Sequence, residues 1–131
     1  MNTNDLIERE IEIYATRNPK SKALQSRSEN YLPGGSSRTT AYFHPFPHFI
    51  ERGQGHYMFD MDGHQVLDFM INATSLIHGH ADPDIVNALA SQAGKGTAFP
   101  GPTESQIRLG EILTDRIHSF ARVRFTNSGT E

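Results

Sequence analysis

The beginning of the chain carries a helical pattern of apolar residues. The residues that recur at the i, i+4, i+7 spacing of one helix face are Ile7, Ile11 and Tyr14. This spacing predicts a helix over residues 4–18, capped by Asn4 and ended by Pro19. A second, shorter helix is predicted over residues 21–31, and the Leu32-Pro33-Gly34-Gly35 turn ends it.

Between residues 47 and 69 the pattern changes to short aromatic and β-branched runs. His56–Asp60 and Gln65–Phe69 read as strands, and Asp62-Gly63 between them is a strong hairpin signal. Arg52–Gly55 is expected to form the turn that precedes them. The sequence therefore predicts a small antiparallel meander.

Two more helices are predicted after the meander. One opens at Asp82-Pro83, a capping residue followed by proline at the first helical position. The other opens at Thr103, with Gln106 three places on as a capping box. Both helices are expected to turn apolar residues towards a core: Ile85, Val86 and Leu89 on the first, and Ile107, Ile112, Leu113 and Ile117 on the second.

The last nine residues predict a short strand that leads into a polar turn. The strand is Val123–Thr126, and Asn127–Glu131 after it has the small polar residue and the acid that begin a helix. The free amides at such a helix start also suit a phosphate dianion. Ser128-Gly129-Thr130 thus fits either a plain helix cap or part of a phosphate site, and the tripeptide taken alone favours the cap.

Composition narrows the class of protein. The 131 residues, 36% hydrophobic and 21% charged, fit one ordinary globular domain with a modest core. A net charge of -3 gives no basic patch for nucleic acid, and the absence of cysteine excludes disulfides and thiolate zinc sites. No apolar run is long enough for a membrane span, and the polar, acidic start does not resemble a signal peptide, so a cytoplasmic protein is expected.

Candidate chemistry rests on one arginine and two pairs of histidines. Arg38 follows the Pro33-Gly34-Gly35 turn and can hold a carboxylate by two parallel hydrogen bonds, although a solvated loop arginine is the more ordinary interpretation. The histidine pairs are His44 with His48 and His78 with His80. Neither pair has an evident third ligand, so local hydrogen bonding is favoured and no metal site is expected.

Five blocks of the sequence, taken in order, resemble the class III aminotransferases of the fold-type I pyridoxal-phosphate superfamily. The blocks are YLPGGSSR at 31–38, FIERGQGHYMFDMDGHQVLDFM at 49–70, HGHADPDIVNAL at 78–89, GTAFPGPTE at 96–104 and VRFTNSGTE at 123–131. Three of them look like the glutamate-1-semialdehyde 2,1-aminomutase branch, and similar segments occur in β-phenylalanine aminotransferases. The short spacing Ser36-Ser37-Arg38 leans towards the β-amino-acid enzymes.

The resemblance implies an α/β fold, of which this chain supplies the N-terminal part. The expected domains are an N-terminal helical segment (1–32), a small-domain antiparallel meander with a pocket loop (33–80) and the truncated beginning of the large cofactor-binding domain (81–131). The resemblance also implies pyridoxal 5'-phosphate as cofactor, and an amino acid and a 2-oxo acid as substrates, or an internal transfer as in the aminomutase. A homodimer is expected, with the loop at 94–102 reaching the partner's site.

The resemblance also assigns roles to particular residues. It maps the substrate-carboxylate arginine onto Arg38 and the pocket lining onto Asn72, Ala73, Thr74 and Ser75. The cofactor phosphate maps onto Ser128, Gly129 and Thr130. The Schiff-base lysine is expected beyond Glu131, because none of the chain's lysines lies where the family places it: Lys20, Lys22 and Lys95. The 131-residue chain alone is therefore expected to be inactive.

Two other interpretations compete with an enzyme fragment. A stand-alone, non-catalytic binding domain predicts a cooperative unfolding transition for the isolated chain. A small metal-binding protein that uses the histidines predicts stoichiometric zinc uptake.

Overall fold

The computed structural model describes residues 2–38 and 42–130 of the chain. The chain divides into two compact units, Met1–Asn87 and Ala88–Glu131. Among the described residues, none of the helices combines the length and the apolar character that crossing a bilayer requires.

Both N-terminal helices predicted from the sequence are confirmed. Helix α1 spans Thr3–Arg17, and helix α2 spans Pro19–Ser28. The cap of α1 is Asn2, so the prediction of Asn4 was wrong: the Asn2 side chain accepts a hydrogen bond from the Asn4 amide, and the Asp5 side chain accepts one from the Asn2 amide. Asn2 can do this because it lies outside the helix in an extended conformation, as a cap must.

A carboxylate from the distant hairpin caps α2. The carboxylate of Asp62 accepts hydrogen bonds from the amides of Lys20 and Ser21, at 2.7 and 3.0 Å, and from the Ser21 hydroxyl at 2.6 Å. Burial raises the pKa of Asp62, but these hydrogen bonds, the Ser21 hydroxyl foremost, hold it below its usual value. The amides at the start of α2, which have no partner within the helix, therefore bind the meander to the helices through Asp62.

The meander is confirmed as a three-stranded antiparallel sheet in the order β1-β2-β3. Its strands are β1, Ile50–Gln54, β2, Tyr57–Asp60, and β3, Gln65–Leu67. The turn predicted at Arg52–Gly55 was wrong for three of its residues, since Arg52, Gly53 and Gln54 pair with β2. Gly53 is needed for a close approach rather than for a turn, because a Cβ there would overlap the His80 ring.

Polar side chains dominate the interior of the first unit. Phe46, with 5% of its surface exposed, is the buried apolar side chain of the described residues, and Tyr14 packs on it and donates a hydrogen bond to its carbonyl at 2.9 Å. The buried polar residues are Asn18, Ser21, Gln25, Asp60 and Asp68. Specific hydrogen bonds, more than apolar burial, thus position the loops of this unit.

Helices α3, Pro83–Ala93, and α4, Glu104–Arg116, follow the meander. The predicted cap of α3 is confirmed, since the Asp82 side chain accepts hydrogen bonds from the amides of Asp84 and Ile85. The capping box predicted for α4 was wrong. Thr103 is the N-cap, but its side chain makes no capping bond, and the Gln106 amide bonds to the Thr103 carbonyl instead.

The apolar faces of α3 and α4 are largely exposed, so the prediction that they point inward was wrong for every named residue except Leu113, which is half-buried. The exposed fractions are 41% for Ile85, 47% for Val86, 65% for Leu89, 61% for Ile107, 39% for Ile112 and 38% for Ile117. Amphipathic faces of this kind are buried only when another element packs closely on them. The strand predicted at Val123–Thr126 is likewise not formed among the described residues, because no neighbouring strand pairs with it.

Candidate functional site

A tight turn positions Arg38. Pro33–Gly35 forms a short 3₁₀ turn in which Gly34 and Gly35 have positive φ values of 65° and 73°. A Cβ at Gly35 would overlap the Gln25 side chain, which itself donates a hydrogen bond to the Gly34 carbonyl at 3.3 Å. Glycine is therefore required here for both conformation and space, as expected from the Pro-Gly-Gly sequence.

Arg38, Asn72 and Ser75 form one hydrogen-bonded chain. The Arg38 Nη1 atom donates to Asn72 Oδ1 at 3.1 Å, and Asn72 Nδ2 donates to Ser75 Oγ at 3.0 Å. The Ser75 hydroxyl donates to the Asn72 carbonyl at 2.8 Å. Three of the five residues that the resemblance maps to the substrate site thus lie together, while the side chains of Ala73 and Thr74 are exposed and outside this chain of bonds.

Arg38 lines an open cavity of about 550 Å³. The cavity is lined by Pro33, Gly34, Ser36, Ser37, Arg38 and Tyr42. Within residues 2–38 and 42–130, no carboxylate forms an ion pair with Arg38. A guanidinium that is oriented by a neutral amide keeps its charge and several N–H donors available to an anion.

The backbone of Ile71–Thr74 forms a single left-handed helical turn. Its four residues have φ values of 41°, 49°, 54° and 71°, although none is glycine. This conformation costs about 1–2 kcal/mol per residue for side chains with a Cβ. Strain of this kind persists only where the surroundings enforce it, and it is most often found at functional sites.

Asp68 enforces the left-handed turn. Its Oδ1 atom accepts hydrogen bonds from the amides of Met70 and Ile71, both at 2.9 Å, and its Oδ2 atom lies 2.7 Å from His80 Nε2. The bonds from the Ile71 amide and the His80 ring hold the pKa of Asp68 below its usual value. The charged carboxylate therefore ties the strained turn to the neighbouring loop.

His80 is fixed in turn by the backbone of Gly55. The two residues exchange N–H···O=C hydrogen bonds of 2.8 and 2.7 Å, and the His80 ring lies against Gly53 of β1. Sequence reasoning missed both Asp68 and His80 as positioning residues. The available signal was the aspartate that directly follows a strand, with a histidine twelve residues later.

His48 has more partners than the sequence suggested. The expectation that its histidine pair lacks a further ligand was wrong for this residue, because Asp60 and His64 lie beside it. His44, its neighbour in sequence, is not in that group. The strand register decides this, since Asp60 ends β2 and His64 precedes β3.

Ser128, Gly129 and Thr130 form an exposed turn in the second unit. Thr126 Oγ1 donates to the Ser128 carbonyl at 3.1 Å, and a Cβ at Gly129 would meet no other atom. Glu131, the acid of the predicted helix start, lies outside the described residues. Backbone amides and hydroxyls are the donors that bind a phosphate group, so this exposed turn fits the phosphate of pyridoxal phosphate chemically.

Comparison with known proteins gives consistent relatives. Residues 39–131 match the model of the family described as aminotransferase class-III. A glutamate-1-semialdehyde 2,1-aminomutase of Rhodopirellula baltica is 39% identical over 116 residues, which cover 86% of this chain and 26% of that protein. The chain thus spans about a quarter of the length of the curated relatives it matches.

Solved structures agree with the sequence relatives. An omega-transaminase from Sphaerobacter thermophilus is 51% identical with a TM-score of 0.81, covering 84% of this chain and 25% of that one. A transaminase with PLP bound is 44% identical with a TM-score of 0.83, covering 86% and 27%. A β-phenylalanine aminotransferase from Variovorax paradoxus is 31% identical with a TM-score of 0.89, covering 97% and 30%.

Proposed function

The chain belongs to the class-III aminotransferase family, and from this premise we propose that the protein carrying it transfers an amino group between an amino acid and a 2-oxo acid. The family uses pyridoxal phosphate, which we take as the cofactor. The observation that carries the proposal is that Arg38, which has no carboxylate partner among residues 2–38 and 42–130, is hydrogen-bonded to a strained turn and lines a cavity. A cation held in this way suits a substrate that bears a carboxylate.

Arg38 is the proposed carboxylate-binding residue. The Asn72 amide oxygen accepts one N–H of its guanidinium at 3.1 Å, which restricts rotation of the fork and leaves the other donors for the two carboxylate oxygens. Ser75 holds the Asn72 amide in turn, at 3.0 Å. Thr74, on the same exposed turn, is proposed to line the pocket beside them. Together these side chains orient the substrate before any bond changes.

The proposed cofactor-phosphate site is the turn formed by Ser128, Gly129 and Thr130. Pyridoxal phosphate, when bound, supplies the electron sink for cleavage of bonds at the amino carbon. The amides and hydroxyls of this turn would hold its phosphate. A lysine that binds such a cofactor is desolvated or lies near another cation, whereas Lys20, Lys22 and Lys95 are exposed. We therefore propose that the covalent lysine lies outside residues 1–131.

The test compares Arg38→Gln with Arg9→Gln in the full-length gene product. Arg9 is an exposed residue of α1 and serves as the matched control. Each hydrogen bond to a charged group contributes about 1.5–3 kcal/mol, so Arg38→Gln should raise KM for amino acids by about 10- to 100-fold. Amine donors without a carboxylate should be affected little, and Arg9→Gln should behave as the wild type.

Two results would contradict this proposal. One is a wild-type protein that transfers no amino group from any amino acid to any 2-oxo acid when pyridoxal phosphate is supplied. The other is an Arg38→Gln variant that loses activity equally with donors that carry and donors that lack a carboxylate.

A second candidate is internal amino transfer, as in the aminomutases. It is favoured by the 38–40% identity to several glutamate-1-semialdehyde 2,1-aminomutases. The TM-score of 0.89 to the β-phenylalanine aminotransferase favours intermolecular transfer. Assays with glutamate-1-semialdehyde alone, and with a β-amino acid plus a 2-oxo acid, separate the two.

We further propose a homodimer in which the loop at 94–102 reaches the partner's site, and light scattering of the full-length product tests its mass.

A further inference from the structure

Two histidines and an aspartate meet at one corner of the meander. We call His48, Asp60 and His64 the Asp60 cluster. His48 Nδ1 lies 2.9 Å from Asp60 Oδ2, and His64 Nδ1 lies 2.8 Å from the same oxygen. The three potential ligand atoms all lie within 4.8 Å of one another. None of these residues belongs to the chain of hydrogen bonds that includes Arg38.

Asp60 is built into the backbone of the hairpin. Its side chain is fully buried, and its Oδ1 atom accepts hydrogen bonds from the amides of Asp62 and His64 at 3.0 and 2.8 Å. These bonds fix the carboxylate plane and direct Oδ2 towards both imidazole rings. Oriented carboxylates of this kind are what metal sites use, because partners outside the ligand shell hold the ligand in place.

The two histidine rings are restrained by neighbouring rings. His48 packs edge-on against Tyr14 of α1, with ring centroids 5.3 Å apart and planes at 82°. His64 meets His48 in the same edge-on way, at 6.4 Å and 84°. The rings are partly open to solvent, with 41% of the His48 side chain and 45% of the His64 side chain exposed. Solvent therefore reaches part of each ring, although the Asp60 carboxylate between them is fully buried.

We propose that the Asp60 cluster is a binding site for a divalent transition-metal ion of the zinc type, with His48 Nδ1, His64 Nδ1 and Asp60 Oδ2 as protein ligands. Imidazole and carboxylate are ligands of such ions, and three protein ligands leave a position for water. Tetrahedral zinc with bonds of about 2.0–2.2 Å separates its ligands by about 3.3 Å. The present distances from Asp60 Oδ2 to His64 Nδ1 and to His48 Nδ1, 2.8 and 2.9 Å, reach that value if each ring moves by roughly half an ångström.

The protons balance without another reactant. A neutral imidazole that donates Nδ1–H to Asp60 becomes a ligand by carrying its proton on Nε2 instead, and a protonated imidazole releases one proton to water. Asp60 is already ionised: burial raises its pKa, but hydrogen bonds from the His64 ring and amide and from His48 lower it to about 2. Metal and protons compete for the ring nitrogens, so the affinity should fall in acid.

Such a site would join two segments that are distant in sequence. His48 precedes β1, whereas Asp60 and His64 flank the hairpin between β2 and β3. The ion would thus fix the segment before β1 to the hairpin that caps α2, a structural role that needs no part of the substrate site. This role does not depend on the proposed aminotransferase activity.

The test measures Zn²⁺ binding by the full-length gene product after chelator treatment, in calorimetric titrations at neutral pH. One Zn²⁺ per chain is expected. His48→Gln and His64→Gln should each weaken binding by more than the 10- to 100-fold that is typical when a residue that only supports a metal ligand is lost. His118→Gln, at an exposed histidine outside the cluster, is the matched control and should bind as the wild type.

Thermal unfolding supplies the folding control. Without metal, the Gln variants should melt cooperatively, close to the wild type, since glutamine can still donate to Asp60. With excess Zn²⁺, the Tm of the wild type and of His118→Gln should rise, while that of the two cluster variants should not. If the wild type takes up no stoichiometric Zn²⁺, or if His48→Gln and His64→Gln bind it unchanged, the cluster is a hydrogen-bonded corner and the proposal fails.

Discussion

The aspartate that ends β2 and the aspartate that follows β3 make the same set of hydrogen bonds with different results. In both Asp60 and Asp68, Oδ1 accepts hydrogen bonds from two backbone amides, and Oδ2 lies within hydrogen-bond distance of a histidine ring. Asp60 is fully buried and has two rings at Oδ2, whereas Asp68 has only His80 there. The Asp60 corner closes a hairpin, and the Asp68 corner forces a left-handed turn that reaches Arg38.

The comparison shows that the effect of such a carboxylate depends on the conformation of the backbone whose amides bind its Oδ1 atom. At Asp60 the amides belong to an ordinary hairpin that Gly63, with φ of 94°, accommodates. At Asp68 they belong to residues that adopt positive φ values without glycine. The first corner is therefore expected to contribute mainly to stability, whereas the second holds strain in the turn that contacts Arg38.

The largest expected effect is the loss of stability in Asp60→Ala. Removing the buried carboxylate leaves two amides and two rings without their acceptor, which should lower the free energy of unfolding by about 3–5 kcal/mol. Urea denaturation of the full-length gene product measures it. Asp115→Ala, at an exposed position of α4, should change it by less than about 0.5 kcal/mol. Equal losses in the two variants would show that the Asp60 corner is not an anchor.

Asp68→Asn should act on activity rather than on the fold. The neutral amide weakens the hold on the Met70 and Ile71 amides and on His80, so the left-handed turn and Asn72 should shift. Misplacement of a positioning group by about 1 Å can cost about 100-fold in rate, and we expect kcat/KM for amino acids to fall by about 10- to 100-fold. An amine donor without a carboxylate should lose less, and an equal loss for both donors would contradict this role.

Acid should remove the contribution that the Asp60 corner makes to stability. The pKa of Asp60 is lowered from 3.8 to about 2, so its contribution is complete above about pH 4 and is lost as the pH falls towards 2. The change corresponds to about 2 kcal/mol. The free energy of unfolding of Asp60→Asn should accordingly depend less on pH between 4 and 2 than that of the wild type, as measured by urea denaturation at each pH. Parallel pH profiles would refute the assignment.

The smallest expected effect is that of replacing alanine by glycine. It should stabilise the protein inside the strained turn and destabilise it inside a regular helix. Ala73, with φ of 54°, should gain about 1 kcal/mol of stability on replacement by glycine. Ala90, within α3, should lose about 1 kcal/mol on the same replacement. Denaturant unfolding of both variants measures the difference. Destabilisation by Ala73→Gly would mean that the left-handed turn is not the conformation in solution.

Local signals carried most of the successful predictions. Helices α1 and α2, the Asp62-Gly63 hairpin, the Asp82 cap and the Pro33–Gly35 turn all rest on residues within a few positions of one another. The predictions that were wrong concerned residues whose conformation depends on a distant partner. Gly53 resembled a turn residue because its reason for being glycine, the His80 ring, lies 27 residues away.

The candidate site was only partly predictable for the same reason. The resemblance pointed to Arg38, Asn72 and Ser75, yet not to their mutual hydrogen bonds. Asp68 and His80 carry no local signal that distinguishes a positioning pair from ordinary loop residues. The strand predicted at Val123–Thr126 needs a neighbouring strand that the described residues do not contain.

The sequence by itself determined the helices, the hairpin and the family, because periodicity, turn residues and motif order are properties of neighbouring positions. Tertiary structure alone decided which carboxylate meets which histidine, since strand register brings Asp60 to His48 and Asp68 to His80. A hydrogen bond forms over about 3 Å, whatever the distance along the chain. Contacts of that kind exist only once the meander has paired.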